Sequence, residues 1–495
     1  MSPRFPRRCL ALLPLLLALH GCSDGVVGAR RDAGTDASGD GAATQSDAAV
    51  EPVCSFPAPQ VAGTPETDAL ANAPARCGRA PYRWLRGAEL GTVVKVGDPR
   101  YLRAELLNAL LEVTGVTLPQ PIQHAAATQV ITYRTQDRGQ PIEATAVVAY
   151  PDDLPAGTPL DMLVLLHGTS GFTDGCGPGK EEATQLLGAA LASFGRIVVI
   201  PDFIGLRSDG EKTGFLHPYL AGQPTAIAAL DALRAAAQLA PAQRGGVCAR
   251  PRFVTFGGSQ GGHAALWVER LAPYYARELE HLGGVATVPP ADLLAQSERA
   301  LRTLVDASKN VVAFLGTTPF WYGAGTRLNE VFAAPWPTRV PELLGGSCEL
   351  GKEFRPTRLE DAFAPGLLTA AAESRIAQFE PWGCIVAENG LTTTSIARLG
   401  QPSASYGMIF VTGEADELVH TPIERASFTT LCAQGLPLQY LECQGAGHTK
   451  ATFWALPELL RFVEDRLAGR AFPTATRCVL QAPSRCENTP AATDG

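Results

Sequence analysis

A chain of 495 residues is too long for one ordinary domain without insertions or tails. With 46% hydrophobic and 18% charged residues, it has the composition of a soluble globular protein. The net charge of −8, with no basic run, gives no reason to expect a nucleic-acid partner.

Arg4, Arg7 and Arg8 precede a short apolar run over 9–19, too short to span a bilayer, so residues 1–21 read as a signal peptide. Leu19-His20-Gly21-Cys22 resembles the bacterial lipobox. The resemblance implies cleavage before Cys22 and acylation of that residue. His20 is unusual in such a box, and cleavage by an ordinary signal peptidase is the alternative. Two or three acyl chains on one residue would hold the protein stably on a membrane of the cell envelope, on the periplasmic or cell-surface side. After Cys22, residues up to 53 are mostly Ala, Gly, Asp, Ser and Thr. They cannot bury enough surface to offset their ordering entropy, and 22–53 read as a lipidated cysteine and flexible tether.

Of twelve cysteines, setting aside Cys9 and Cys22 leaves ten: Cys54, Cys77, Cys176, Cys248, Cys348, Cys384, Cys432, Cys443, Cys478 and Cys486. An even number in an exported chain argues for up to five disulfides, with the connectivity open. There is no C-x-x-C and no Cys/His cluster of zinc-finger spacing, so no metal site is expected.

Residues 54–124 read as an N-terminal extension. A regular pattern starts at 125 and defines the first part of a core, 125–289. Runs at 129–135 and 144–150 are β-rich and joined by a turn cluster over 136–141, an antiparallel pair at a sheet edge. Short apolar runs follow at 163–166, 197–200, 253–256, 284–288, 408–411 and 438–441. Most lack polar alternation, as strands covered on both faces do. Helices are predicted over 181–194, 224–239 and 260–282. Leu456, Leu459, Leu460, Val463 and Leu467 make the apolar stripe of a last helix. Strands alternating with helices predict an α/β fold, a mostly parallel sheet with helices on both faces.

About 120 residues separate the sixth of these strands from the seventh, far beyond a usual connection. Residues 290–400, helix-like over 291–315 and rich in Pro, Trp and Gly over 317–341, read as a cap or lid above the C-terminal edge of the sheet. Phe314, Phe320, Trp321, Trp336 and Trp382 would line an acyl pocket or form the insertion's own core, and Cys348 and Cys384 are candidates to fasten it. The core resumes over 401–470, and 471–495 form a tail.

Gly257, Ser259 and Gly261 fit the G-x-S-x-G nucleophile elbow, a strained strand-to-helix turn whose neighbours must lack bulk. The alternative is a glycine-rich turn with an incidental serine. A serine nucleophile needs a base, and the base an orienting acid, in the chain order Ser, Asp or Glu, His. Downstream of Ser259 stand four histidines: His263, His281, His420 and His448. His263 is one turn along the same helix and should face away, His281 ends that helix, and His420 begins another. His448, in the small-residue loop Gly445-Ala446-Gly447-His448-Thr449, is the expected base. Glu414, Asp416 and Glu417 follow the preceding strand, and Asp416, in a G-x-x-D-x-x-V pattern, is the expected acid. The oxyanion requires two backbone N–H donors: Gln260, directly after the nucleophile, and Thr169 in Leu166-His167-Gly168-Thr169. His167 reads as a structural hydrogen-bonder.

These residues, together with the edge strands between Thr135 and Pro151, Pro201-Asp202-Phe203-Ile204-Gly205-Leu206 and His217-Pro218-Tyr219-Leu220, make the chain resemble an α/β-hydrolase of the secretory lipase family, the group of the fungal lipase A type. The similarity spans roughly residues 125–470. It implies hydrolysis of carboxylic esters, acylglycerols included, through an acyl-serine and without a cofactor. Asp202 and His217 read as loop braces. A serine peptidase on the same scaffold and a non-catalytic surface-binding module are the competing readings. The peptidase would need an anchor for a peptide terminus, and no clear candidate stands in the sequence. The oligomeric state is not legible. Cys22→Ala is expected to abolish metabolic lipid labelling and release the protein from membranes; a mature N-terminus elsewhere, with no acyl label, would refute the lipobox.

Overall fold

The computed structural model describes residues 54–114, 120–351, 353–400 and 403–490, so the expected signal peptide, Cys22 and tether lie outside the described residues. The extension supplies two short strands, β1 (Val93–Val96) and β2 (Arg100–Leu102), both antiparallel to β3 (Ala126–Asp137). Arg138 and Gly139, at φ 48° and 77°, close a tight hairpin from β3 into β4 (Gln140–Pro151). This is the antiparallel pair expected from the sequence, longer at both ends. It is not the outermost pair, because β1 and β2 lie along β3. Runs of four and three residues are too short to show a period.

The remaining strands are β5 (Pro159–Leu166), β6 (Ile197–Asp202), β7 (Cys248–Gly258), β8 (Glu280–Thr287), β9 (Gly407–Gly413) and β10 (Leu438–Cys443). They continue one sheet in the order β1-β3-β4-β6-β5-β7-β8-β9-β10. Pairing is antiparallel up to β4–β6 and parallel from β6–β5 onward. Met162, Val164 and Leu166 of β5 pack with the helices Gly222–Gln238 and Gln260–Tyr275. Leu163 and Leu165, on the other face, pack with the helices Glu182–Ala192 and Leu456–Leu467. Apolar side chains on both faces explain the unbroken apolar runs. This mostly parallel sheet with helices on both sides is an α/β-hydrolase fold.

One boundary differs from expectation. The helix after Ser259 stops at Tyr275, and residues 280–282, expected to be helical, open β8. The apolar period does run on through Leu279 and Leu282. Gly283, at φ 115°, has no room for a Cβ, which would meet the Gly407 carbonyl oxygen at 2.0 Å. Pairing with β7 and β9 therefore overrides the helical pattern. The long insertion falls between β8 and β9, the sixth and seventh of the strands read from the sequence, which β1 and β2 precede. It is helical: Leu293–Arg302 and Ala307–Trp321, in place of one expected helix, then Trp336–Gly346, Pro365–Ala372 and Trp382–Asn389. Phe314, Trp321 and Trp382 sit in its own apolar cluster, which also takes in Phe172, Tyr219 and Leu220 from the core.

All ten described cysteines are paired, as Cys54–Cys248, Cys77–Cys384, Cys176–Cys348, Cys432–Cys478 and Cys443–Cys486. Cys384 ties the insertion to the extension and Cys348 ties it to the loop after β5. The last two bridges sew the tail onto the β9–β10 end. A buried ion network holds the extension's side of the core. Arg234 Nη1 donates to Asp231 at 2.7 Å and Nε to Glu278 at 2.6 Å. Asp231 also accepts from Thr135 and Tyr275. Arg234→Met would leave two carboxylates buried without their cation and is expected to cost about 3–5 kcal/mol, read from the shift of the urea unfolding midpoint.

Candidate active site

Ser259 follows β7 directly and caps the helix Gln260–Tyr275, with φ 56° and ψ −120°. A Cβ on Gly257 would meet the Gly261 carbonyl oxygen at 2.0 Å, and one on Gly261 would meet that of Leu166 at 1.9 Å. The turn therefore closes only with glycine at both positions. Its backbone is anchored on both sides: Ser259 N–H donates to Thr287 O at 2.9 Å, and His263 N–H donates to Ser259 O at 3.0 Å.

His448 and Asp416 converge on this serine. Nδ1 of His448 donates to Asp416 Oδ2 at 2.8 Å, which leaves Nε2 to accept from Ser259 Oγ at 2.9 Å. Asp416 is 2% exposed, and its Oδ1 accepts from the N–H groups of Leu418 and Val419, each at 3.0 Å. The carboxylate is thus held in one orientation toward the imidazole. Glu414 accepts from Gly445 N–H instead and Glu417 pairs with Arg299 on the insertion. Neither is hydrogen-bonded to His448. His448 opens the short helix His448–Trp454, with Gly447 as its cap, where a loop was expected.

The other downstream histidines stand elsewhere. His263 is buried and its Nε2 faces Asn389 O at 2.8 Å; burial pushes its pKa down to about 4. His281 is in β8, not at a helix end, stacked on Phe253 with ring centroids 4.7 Å apart and held neutral by burial, at about 3. His420 caps the helix Thr421–Ala433, as expected.

Gln260, the first residue of its helix, has a backbone N–H with no partner inside the helix. Its side-chain amide donates to Nε2 of His217 at 2.7 Å, while His217 Nδ1 donates to Ile204 O at 2.9 Å. Burial keeps His217 neutral, at about 3, which is what lets Nε2 accept. Thr169 lies on the loop after β5, its hydroxyl bonded to Tyr219 Oη at 2.9 Å. That oxygen also accepts from Asn310 of the insertion at 2.9 Å. His167 bonds the Gly168 carbonyl through Nδ1 and stacks on Phe203; burial brings its pKa to about 4. Asp202 accepts from Thr145 at 2.7 Å and from Gly179 N–H at 2.8 Å, and burial raises it to about 6. Tyr219 and Asn310 were not singled out from sequence; the only signal was Tyr219 within His217-Pro218-Tyr219-Leu220.

Two cavities border the elbow. One of about 50 Å³ has Ser259 and Gln260 in its wall, with Leu293, Val311 and Phe314 of the insertion. The other, about 1120 Å³, begins at Gly258 and the loop His167-Gly168-Thr169-Ser170. It continues along one face of the sheet past Leu165, Phe256, Leu187 and Trp454. The insertion was expected to supply most of an acyl pocket. It walls most of the small cavity, whereas the large one is lined chiefly by the core. Asn310 borders both.

A family model described as secretory lipase matches residues 181–308. Among solved structures, the rice cell wall degrading esterase LipA from Xanthomonas oryzae superposes with a TM-score of 0.58 at 20% identity, over 76% of this chain and 97% of that one. A putative hydrolase from Legionella pneumophila gives 0.61 at 17% identity, over 77% and 100% of the two chains. Candida antarctica lipase A in its closed state gives 0.57 at 17% identity, over 81% and 88%. No curated protein matches the chain by sequence. The likenesses to solved structures establish the fold. The match to the secretory lipase model is confined to residues 181–308.

A buried carboxyl ties the start of the insertion to the acid-bearing loop. Glu424 accepts from Ala291 N–H at 3.1 Å and from Gln296 Nε2 at 2.8 Å, and Gln296 in turn accepts from His420 N–H at 3.2 Å. Burial raises Glu424 from 4.5 to about 8. The unfolded chain ionises this group near 4.5 while the folded chain keeps its proton to about 8. The group's contribution to stability is therefore full below 4.5 and is lost as pH rises through 8. Glu424→Gln is expected to flatten that decline between pH 4.5 and 8, measured as urea midpoints across the range.

Proposed function

We propose that this protein is an exported serine hydrolase of carboxylic esters, acylglycerols among them, acting through an acyl-serine. The observation that carries the reading is the continuous hydrogen-bonded line Asp416–His448–Ser259 at a strained strand-to-helix turn. In this mechanism Ser259 Oγ attacks the ester carbonyl carbon while His448 Nε2 takes its proton. The N–H groups of Gln260 and Thr169 receive the charge that develops on the carbonyl oxygen. His448 then protonates the departing alcohol oxygen, leaving the acyl group on Ser259. A water, deprotonated by His448, attacks the acyl carbonyl carbon, and His448 gives that proton to Ser259 Oγ as the acyl C–O bond breaks and the acid is released. Asp416 keeps the imidazole in the required tautomer and offsets its transient charge. No metal or organic cofactor has a part in these steps.

Residues 290–400 act in this reading as a cap over the serine, supported by the small cavity they share with it. The family and the five disulfides point to an exported protein, since such bridges persist in oxidising compartments. Anchoring through Cys22 would place it on a membrane of the cell envelope.

Ser259→Ala, His448→Ala and Asp416→Asn are each expected to lower kcat on p-nitrophenyl acetate by about 10⁴-fold or more with the fold retained, and to combine without additivity. Near-normal turnover by the His448 variant would sink the assignment. Cleavage of peptidyl anilides without ester turnover would favour the peptidase, and failure of a fluorophosphonate to label the wild type would favour a binding module.

A further inference from the structure

The two spaces beside Ser259 differ about as much as two parts of one site can. The small one, about 50 Å³, has room for roughly three or four non-hydrogen atoms. Its walls cannot easily retreat. Leu220, Leu293 and Phe314 are nearly buried and belong to the packed apolar cluster of the insertion. The large one, about 1120 Å³, exceeds an ordinary small-molecule pocket. Its deep wall is apolar: Leu165, Ile200 and Phe256 from the sheet, Leu187 and Leu191 from one helix, Trp454 from another.

Chemistry decides which half of an ester belongs in each. The leaving oxygen must lie within reach of His448 Nε2, which returns the proton to it. Thr449, Lys450, Thr452, Phe453 and Trp454 follow His448 on the same helix, and all five wall the large cavity. The acyl group remains on Ser259, and the cavity whose wall contains Ser259 and Gln260 is the small one. We infer that the preferred substrates are esters of a short acid, of about four carbons or fewer, with a long apolar alcohol that lies along the sheet face. This rests on the acyl-serine reading above and adds the substrate class to it.

Two matched series test the inference: acetates of alcohols from ethyl to dodecyl, and ethyl esters of acids from acetic to dodecanoic. The wild type is expected to hold or gain kcat/KM along the alcohol series and to lose it along the acid series beyond about four carbons. Leu187→Trp, which fills the large cavity, should lower the ratio of dodecyl acetate to ethyl acetate turnover by roughly tenfold or more. Phe314→Ala, which widens the small one, should raise the ratio of ethyl hexanoate to ethyl acetate turnover by a similar factor. Fluorophosphonate labelling of Ser259 reports a folded elbow in each variant. Tolerance of long acids by the wild type, or two ratios that do not move in labelled variants, would overturn the inference and leave the serine mechanism standing. Absence of both labelling and ester turnover in the wild type would overturn both readings.

Discussion

Ser259 sits at φ 56°, a backbone conformation that costs an L-residue on the order of 1–3 kcal/mol and persists only where its surroundings dictate it. Much of the architecture acts to dictate it. β5 and β7 run parallel with Leu166 opposite Gly257, which brings the Leu166 carbonyl against Gly261. Thr287, at the end of β8, receives the serine's own N–H. The helix that starts at Gln260 is buried along nearly its whole length, so the turn cannot relax by letting the helix slide. The strain is thus distributed over three strands and a helix, and the hydroxyl is left facing His448.

Burial sets the protonation state of the histidines, and the protonation states set the hydrogen bonds. His167, His217 and His263 lose water and are held neutral, each donating through one ring nitrogen or accepting through the other. His217 is the most consequential of these for the site. Because it is neutral, it accepts the Gln260 side-chain amide and so fixes the residue whose backbone N–H would meet an oxyanion. His448 differs in kind. It is only partly buried and paired with a carboxylate on one side and a hydroxyl on the other.

The insertion is bound to the rest of the chain by chemistry of several sorts. Two disulfides reach it, one from the extension and one from the loop after β5. Asn310 reaches back to Tyr219 and through it to Thr169. Glu424 and Gln296 join its first helix to the segment beyond Asp416. The Asn310 link ends at Thr169 and the Glu424–Gln296 link just beyond Asp416, so displacement of the insertion would be felt at the site itself.

The sequence determined what is local. Ser259 was legible because close backbone approach demands glycine on both sides, and a one-residue signal of that kind survives in the chain. Asp416 and His448 were legible from their loops after successive strands, and the doubly covered strands from apolar runs without alternation. Long-range pairing left no such mark. The cysteine partners, the end of the helix at Tyr275, β1 and β2, the Tyr219–Asn310 link and the placement of the larger cavity were all decided by which segments meet in space. The physical reason is that a strand register or a disulfide depends on two distant stretches at once, whereas periodicity and turn chemistry report on one. A cavity depends on what several helices leave uncovered, which no single stretch records.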